Sequence, residues 1–318
     1  METMNKTIKY IVAAALFAAV GCTEEDDGSV RVRVDSIRSA KTVSFGEGES
    51  EVSATAKVNV LMPVEEPLHG FVERNIALNW KRARGEDGEL VSGYKAAVGD
   101  FLSEFRESKS ARAEKIEKDE WVPPSSGWDF ALDGVIAWTS RKYFSYRSSI
   151  MSYFGGVHPD IWYKNGTYSH KLGRRMVVED LIDRKDFLPV AQIICKLISE
   201  DESRSDYLRG KMTNDVSKTY AEYAGDTDEE GRGDASMPCV TKNFMIVEEG
   251  IVWTYNEYEI SSYSEGHTDV CVPWHLLIPY LKSKELLDDP EVVSVYERMR
   301  QQAIEEGRLQ KIGGLEFF

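Results

Sequence analysis

The chain has 318 residues, a formal net charge of −15 at neutral pH and a hydrophobic content of 42 %. Because so negative a chain repels the phosphates of DNA and RNA, the composition argues against a nucleic-acid-binding protein. The length suffices for one large domain or two modest ones, each with a hydrophobic core.

The N-terminus has the pattern of a lipoprotein signal peptide. Two lysines precede an apolar run over residues 11–20, which is shorter than the roughly 20 residues of a membrane-spanning helix. The run ends in small residues directly before Cys22, as at the cleavage site of lipoprotein signal peptidase. We therefore expect residues 1–21 to be removed and Cys22 to carry a lipid that holds the protein to a membrane.

Residues 22–29 include a run of four acidic residues, which predicts a solvated tether. Thr23 stands where the signal for retention at the inner membrane would have aspartate. The acidic run resembles the surface-export signal of Bacteroidota lipoproteins. Together these features predict an outer-membrane protein that faces the cell exterior.

Hydrophobic periodicity predicts the elements that follow. Alternating residues predict strands at 29–36 and 54–62, and helical spacing predicts a pair of helices at 71–84 and 91–105. A charged connection is expected over 106–118. Three more strand-like segments then follow, at 128–138, 142–154 and 161–172.

In the last third, a helix at 187–198 that Asp186 could cap precedes a polar loop at 222–238. The remaining elements are a hairpin at 244–255, a short strand at 268–272 and helices beginning at Pro273 and Pro290. Because strands and helices are mixed without regular βαβ alternation, the predicted class is α+β, with mixed antiparallel sheets and packed helices.

Three cysteines remain besides Cys22. Cys195 lies in an apolar helical stretch and is expected to be buried. A disulfide between Cys239 and Cys271 and a pair of free thiols are both open alternatives. The three cysteines lack the spacing of a metal site.

Three segments resemble a bacterial extracellular module. The first is the turn over 152–158 (SYFGGVH), and the second joins 172–174 (LGR) to 179–181 (EDL). The third comprises Asn243-Phe244, Gly250, Tyr255-Asn256, Tyr258-Glu259-Ile260, Tyr263, Gly266 and Val272-Pro273. In this order they are similar to the extracellular domain family of the anti-sigma factor RsiV and the peptidoglycan deacetylase PdaC, over about residues 145–282.

The resemblance implies an α+β module that binds and does not catalyse. In PdaC-type proteins the chemistry resides in a separate domain, and in RsiV the module binds lysozyme. The resemblance also implies an N-terminal companion domain over 30–144 and an RsiV-like domain over 145–318 that includes the C-terminal helix.

The first motif contains candidate binding residues. Gly155 and Gly156 permit a sharp turn, and His158 follows them. Two interpretations of His158 are a structural residue bonded to backbone and a base that acts with Asp160 and Ser152. Because neither G-x-S-x-G nor H-E-x-x-H accompanies the histidine, we expect no catalytic residues.

The third motif adds Tyr255, Asn256, Tyr258 and Tyr263 as candidate binding residues. Each tyrosine offers a flat apolar face and a polar tip, which favours protein or glycan recognition. Strand propensity explains the tyrosines equally well.

An acidic segment over 226–234 imitates the first nine positions of an EF-hand loop. Met237 stands where position twelve needs glutamate, so a solvated loop is expected there, with neither metal nor cofactor. The predicted function is a lipid-anchored, non-enzymatic module that binds a lysozyme-like protein or a cell-envelope glycan. The alternative is an enzyme or accessory subunit acting on cell-wall polysaccharide.

Overall fold

A computed structural model gives the fold. It describes residues 32–45, 52–84, 93–118, 127–213, 240, 242–287, 290–307, 310–312 and 315–317. The predicted signal peptide, Cys22, the tether, Cys239 and the loop at 222–238 lie outside these residues.

A six-stranded sheet in the order β1 to β6 forms the centre of the molecule. Its strands are β1 (Val34–Phe45), β2 (Val52–Pro63), β3 (Trp128–Thr139), β4 (Tyr143–Tyr153), β5 (Asp160–Ser169) and β6 (Arg174–Arg175). Only β2 and β3 run parallel among neighbouring strands of this sheet, because two helices connect them. The strand predicted at 29–36 is observed from Val34 and continues to Phe45.

Helices α1 (Leu68–Arg84) and α2 (Gly93–Glu117) form the predicted pair and cover one face of this sheet. Alternate residues of β2 and β3 point to them and are buried. The charged connection predicted over 106–118 is wrong, because α2 continues to Glu117. Long charged residues are good helix formers, and Lys109 lies over the ring of Phe105, 5.2 Å from its centroid.

A second, three-stranded antiparallel sheet covers part of the opposite face. It consists of β7 (Phe244–Ile246), β8 (Gly250–Tyr255) and β9 (Thr268–Pro273). Around it lie α3 (Phe187–Glu200), α4 (Asp206–Thr213), α5 (Trp274–Leu277) and α6 (Pro290–Glu305), and a hairpin of β10 (Gln310–Ile312) and β11 (Leu315–Phe317) ends the described chain.

Two details of this region differ from the sequence prediction. The side chain of Asp186 makes no capping bond, because a 3-10 turn over Arg184–Asp186 leads directly into α3. The helix beginning after Pro273 is a single short turn that passes into a 3-10 segment.

The buried side chains form two cores. One lies between the six-stranded sheet and α1 and α2, and the other lies between the small sheet, α3 and α4. The predicted domain division after residue 144 falls inside β4, so one sheet extends across it. The predicted α+β class is confirmed. None of the helices described in the structure is long and apolar enough to span a membrane.

Candidate ligand-binding site

The loop between β4 and β5 contains the first set of predicted residues. Gly155 has a φ angle of 85°, which glycine adopts without a side-chain clash. The hydroxyl of Tyr153 donates to the carbonyl of Gly156 at 3.0 Å and holds the turn closed. Val157 at the tip is 99 % exposed, so an apolar side chain projects fully into solvent.

His158 contacts backbone and an aromatic ring. Its Nδ1 lies 3.1 Å from the carbonyl oxygen of Pro159. Its ring stacks on Tyr263 with centroids 3.7 Å apart, and the Tyr263 hydroxyl donates to the same carbonyl at 2.9 Å. Ser152, the candidate nucleophile, is buried, and the described structure has no hydrogen bond between it and His158. The contacts with Pro159 and Tyr263 thus hold the His158 ring in place at the protein surface.

The turn after β8 presents a second aromatic side chain. Tyr258 has a φ angle of 66°, which is uncommon for a residue with a bulky side chain. Tyr258 is 55 % exposed, and the centroid of its ring lies 6.2 Å from that of Tyr263. We call the surface formed by Val157, His158, Tyr258 and Tyr263 the aromatic patch. Strained backbone of this kind clusters at functional sites.

Carboxylates lie beside the aromatic patch. Asp160 Oδ1 is 3.8 Å from Nδ1 of His158. Glu257, directly before Tyr258, is buried and accepts a hydrogen bond from the backbone N–H of Ile161. Burial raises the pKa of Glu257, and the nearby charge of Asp160 adds to the rise. The patch therefore combines apolar rings with negative charge.

A second histidine–tyrosine pair lies between the two sheets. The rings of Tyr163 and His267 are 4.0 Å apart, and His267 Nε2 is 3.6 Å from Oδ2 of Asp269. Asp269 also accepts hydrogen bonds from Arg147 and Thr254. Burial alone would raise the pKa of Asp269, but the bonds from His267, Arg147 and Thr254 hold it well below its usual value.

Sequence reasoning missed three of these residues. Tyr163 lies on β5 and His267 lies directly before β9, and no spacing relates them. Glu257 was within reach, because it occupies the variable position between Asn256 and Tyr258 in the third motif.

Tyr255 and Asn256, predicted as binding residues, are each only 1 % exposed. Asn256 accepts a hydrogen bond from the N–H of Tyr163 at 2.7 Å and donates to its carbonyl at 3.2 Å. Within the structure both residues therefore contact protein and present no surface to a ligand.

Asn243 extends the same arrangement along β5. It accepts from the N–H of Asn165 at 2.8 Å and donates to the carbonyl of Tyr163 at 3.0 Å. Two side-chain amides, from Asn243 and Asn256, thus satisfy the outer edge of β5 as a neighbouring strand would. This explains the two asparagines of the third motif as structural residues.

The described part of the chain has no group of three or more His, Cys, Asp or Glu residues that could hold a metal ion. The calcium-like segment at 226–234 lies outside it. Cys195 is buried, as predicted, and burial raises its pKa to about 12. Cys271 is half-buried and forms no disulfide with a cysteine of the described residues, which do not include Cys239. Burial and the charge of Glu249 raise the pKa of Cys271 to about 11.

Comparisons with known proteins place this region in a family. Residues 190–275 match the family model described as "Protein of unknown function (DUF3298)". They form a DUF3298 domain. The DUF3298 domain begins within α3 and ends in α5, so it includes Tyr258, Tyr263 and His267. No curated protein matches the chain in sequence.

Solved structures of DUF3298 family proteins share the fold. One from Bacteroides fragilis aligns with a TM-score of 0.60 at 16 % identity, over 81 % of this chain and 97 % of that one. One from Pseudomonas aeruginosa PAO1 aligns with a TM-score of 0.50 at 14 % identity, over 80 % of this chain and 96 % of that one. The shared fold thus extends well beyond the DUF3298 domain, into the helices and strands that precede it.

Proposed function

We propose that this chain is an outer-membrane lipoprotein, anchored through Cys22 and exposed on the cell surface, whose folded part is a non-enzymatic module that binds a cationic protein. The signal-peptide pattern and the acidic tether support the anchor and its location. The resemblance to the RsiV and PdaC domain family supports a binding role, and lysozyme is the ligand that this resemblance suggests.

The observation that carries the proposal is the exposed aromatic patch beside buried and half-buried carboxylates. Val157 is 99 % and Tyr258 55 % exposed, so apolar surface is available on the β4–β5 loop and on the turn after β8. Aromatic side chains often supply much of the binding energy at protein interfaces. Asp160 and Glu257, in a chain of net charge −15, favour a positively charged partner by steering its approach.

Binding of lysozyme to the purified chain, measured by pull-down and by titration at low and moderate salt, tests the proposal. We expect retention at low salt and weaker retention at moderate salt, since surface charges are screened. Tyr258→Ser should weaken binding at least about tenfold, or about 1.4 kcal/mol. Tyr207→Ser is the matched control, because Tyr207 is 70 % exposed on α4 and lies outside the patch.

Absence of lysozyme retention at low salt would overturn this choice of ligand. Equal losses for the Tyr258 and Tyr207 variants would overturn the choice of surface. A cell-envelope glycan is the second candidate, because the half-exposed Tyr258 ring offers a flat face to a sugar. Soluble peptidoglycan fragments that bind the wild type and not the Tyr258→Ser variant would favour it.

The anchor and its location need experiments of their own. Incorporation of labelled palmitate should occur in the wild type and be lost in Cys22→Ser. Protease treatment of intact cells should cut the wild-type protein, and its complete protection would contradict surface exposure.

A further inference from the structure

A group of basic side chains lies on the face of β5 that α1 covers. Alternation along the strand places Trp162, Lys164, Gly166 and Tyr168 on this face. The ring of Tyr168 packs 5.8 Å from that of Phe71 in α1. At the other end of the row, the guanidinium of Arg82, also from α1, lies 5.4 Å from the ring of Trp162. Lys164 therefore lies between these two contacts, in the region between α1 and β5 that we call the slot.

Arg175 of β6 closes one end of this slot. Its guanidinium lies directly on Gly166, where an added Cβ would come within 2.6 Å of Nη1. The absence of a side chain at Gly166 is thus what makes room for the guanidinium. Nη2 donates to the carbonyl of Asn165, whereas Nη1 is buried and has no hydrogen-bond partner among the described residues.

The positive charges in the slot are not balanced by the protein groups described around it. Among the described residues, Glu259 supplies the one carboxylate of the main charges acting on Lys164. Glu259 is already engaged, since it accepts hydrogen bonds from Arg82 and from the N–H of Asn256. Neither Lys164 nor Arg175 forms an ion pair with a carboxylate of the described chain. An uncompensated buried charge is costly, so such a pair of cations points to an anion.

We propose that Lys164 and Arg175 form a binding site for a small anionic group, a phosphate, sulfate or carboxylate, in the slot between α1 and β5. A guanidinium offers planar N–H donors that match such groups, and an ammonium adds a compact charge. The site stands out because the chain as a whole carries a net charge of −15. It is separate from the aromatic patch and does not depend on the proposed function.

The state of Lys164 gives this site a measurable signature. Burial, together with the positive charges of Arg175 and Arg82, lowers the pKa of Lys164 to about 7. An anion stabilises the charged ammonium, so binding near neutral pH should take up a proton. Affinity should then fall as the pH rises above 7.

Charged and titratable groups surround Lys164 on the elements packed against it. The charges that act on Lys164 are those of Arg82 from α1, Arg175 from β6, and Glu259 and Lys242 beside the small sheet. Arg74 from α1 acts on Arg175, and Tyr146 of β4 lies opposite Gly166 on the same face of the sheet. Burial raises the pKa of Tyr146, and it lowers that of Arg175 only to about 10. Because the shifted pKa of Lys164 lies closest to neutrality among these three groups, a pH dependence between 6.5 and 8.5 would report Lys164.

Isothermal titration of the full chain with sulfate tests the site, because sulfate remains a dianion throughout this pH range. We expect saturable binding at pH 6.5 with proton uptake, which makes the binding heat depend on the buffer. At pH 8.5 the affinity should be weaker than at pH 6.5 by about tenfold or more. Lys164→Met should abolish binding. Lys57→Met, at an exposed lysine of β2, should leave it unchanged.

Lys164→Arg is the control for a loss of binding that is caused by misfolding of a Lys164 variant. It keeps the charge, so it should bind sulfate without proton uptake and with little pH dependence, and thermal melting should confirm that all variants are folded. Inorganic phosphate and a short-chain phosphatidic acid then separate free phosphate from a lipid headgroup, and binding of either supports the site. No saturable sulfate or phosphate binding at pH 6.5, or equal binding by folded Lys164→Met, would overturn it.

Discussion

The two faces of the six-stranded sheet are held to their neighbours by different forces. On the face covered by α1 and α2, aromatic rings pack against one another. The ring centroid of Phe130 lies 5.3 Å from that of Trp80 and 5.4 Å from that of Phe101. On the face that meets the small sheet, β4 and β5 present polar residues such as Ser145 and Thr167, which bond each other at 2.9 Å. Apolar burial dominates at the helices, where Asn75 and Asn79 of α1 add hydrogen bonds to β4 and β5, and hydrogen bonds dominate at the small sheet.

This difference determines how each interface responds to substitution. The stabilisation from apolar burial is non-directional and proportional to the area removed from water, so hydrophobic replacements of similar size are tolerated. The polar interface depends on geometry, as where Thr167 accepts the N–H of Ile246 at 2.8 Å and Asn165 donates to Thr254 at 2.6 Å. Each buried polar group there needs its partner, and removal of one partner leaves the other unsatisfied.

The largest effect is expected in the apolar core. Phe130→Ala should lower the free energy of unfolding by about 3–5 kcal/mol, because Phe130 is 1 % exposed and its loss leaves a cavity. Phe130→Leu retains most of the volume and should cost less than about 1.5 kcal/mol. Urea unfolding of both variants measures the difference. Similar losses for the two would contradict a core held mainly by non-directional packing.

A smaller but sharper effect is expected at the polar interface. Asn243→Ala should cost about 2–3 kcal/mol, because it leaves the edge of β5 without donors and acceptors. At Phe130 an apolar residue of similar volume should retain stability, whereas at Asn243 it should not. Asn243→Leu should therefore be at least as destabilising as Asn243→Ala. Asn59→Ala is the control, since Asn59 lies on the exposed face and bonds only Asp133 among the described side chains. A tolerated Asn243→Leu would remove the contrast between the faces.

The difference between the faces also explains what could be predicted from the sequence. Periodic apolar residues predict α1, β2 and β3 well, because burial on one face requires that spacing. The charged end of α2 was missed, since its side chains are mostly exposed and carry no apolar stripe. The polar interface has no period, and its partners are distant in the chain: Asn256 bonds Tyr163 across 93 positions.

The candidate site divides in the same way. Motif resemblance predicted the surface residues His158, Tyr258 and Tyr263, which the fold brings together in the aromatic patch. The same motif could not separate them from Tyr255 and Asn256. Which residues of the motif are exposed depends on how the small sheet packs against the six-stranded sheet, and the sequence does not show this packing. A residue type favoured in binding and in packing alike is assigned by its exposure.

The smallest of these effects is expected from the charges of the polar interface, and it depends on pH. The pKa of Asp269 is depressed in the folded protein relative to its ordinary value of 3.8, so its contribution to stability is complete above that value and is lost as the pH falls below it. Asp269→Asn should therefore cost about 1–2 kcal/mol at pH 7, since a bond to Arg147 loses its charge. The difference between wild type and variant should shrink as the pH falls from 4 to 2, as measured by denaturant unfolding at each pH. Phe130→Leu should show no such trend, because the ring of Phe130 packs against Trp80 and Phe101, neither of which titrates. A pH-independent cost for Asp269→Asn would mean that shape, and not charge, joins the small sheet to β4.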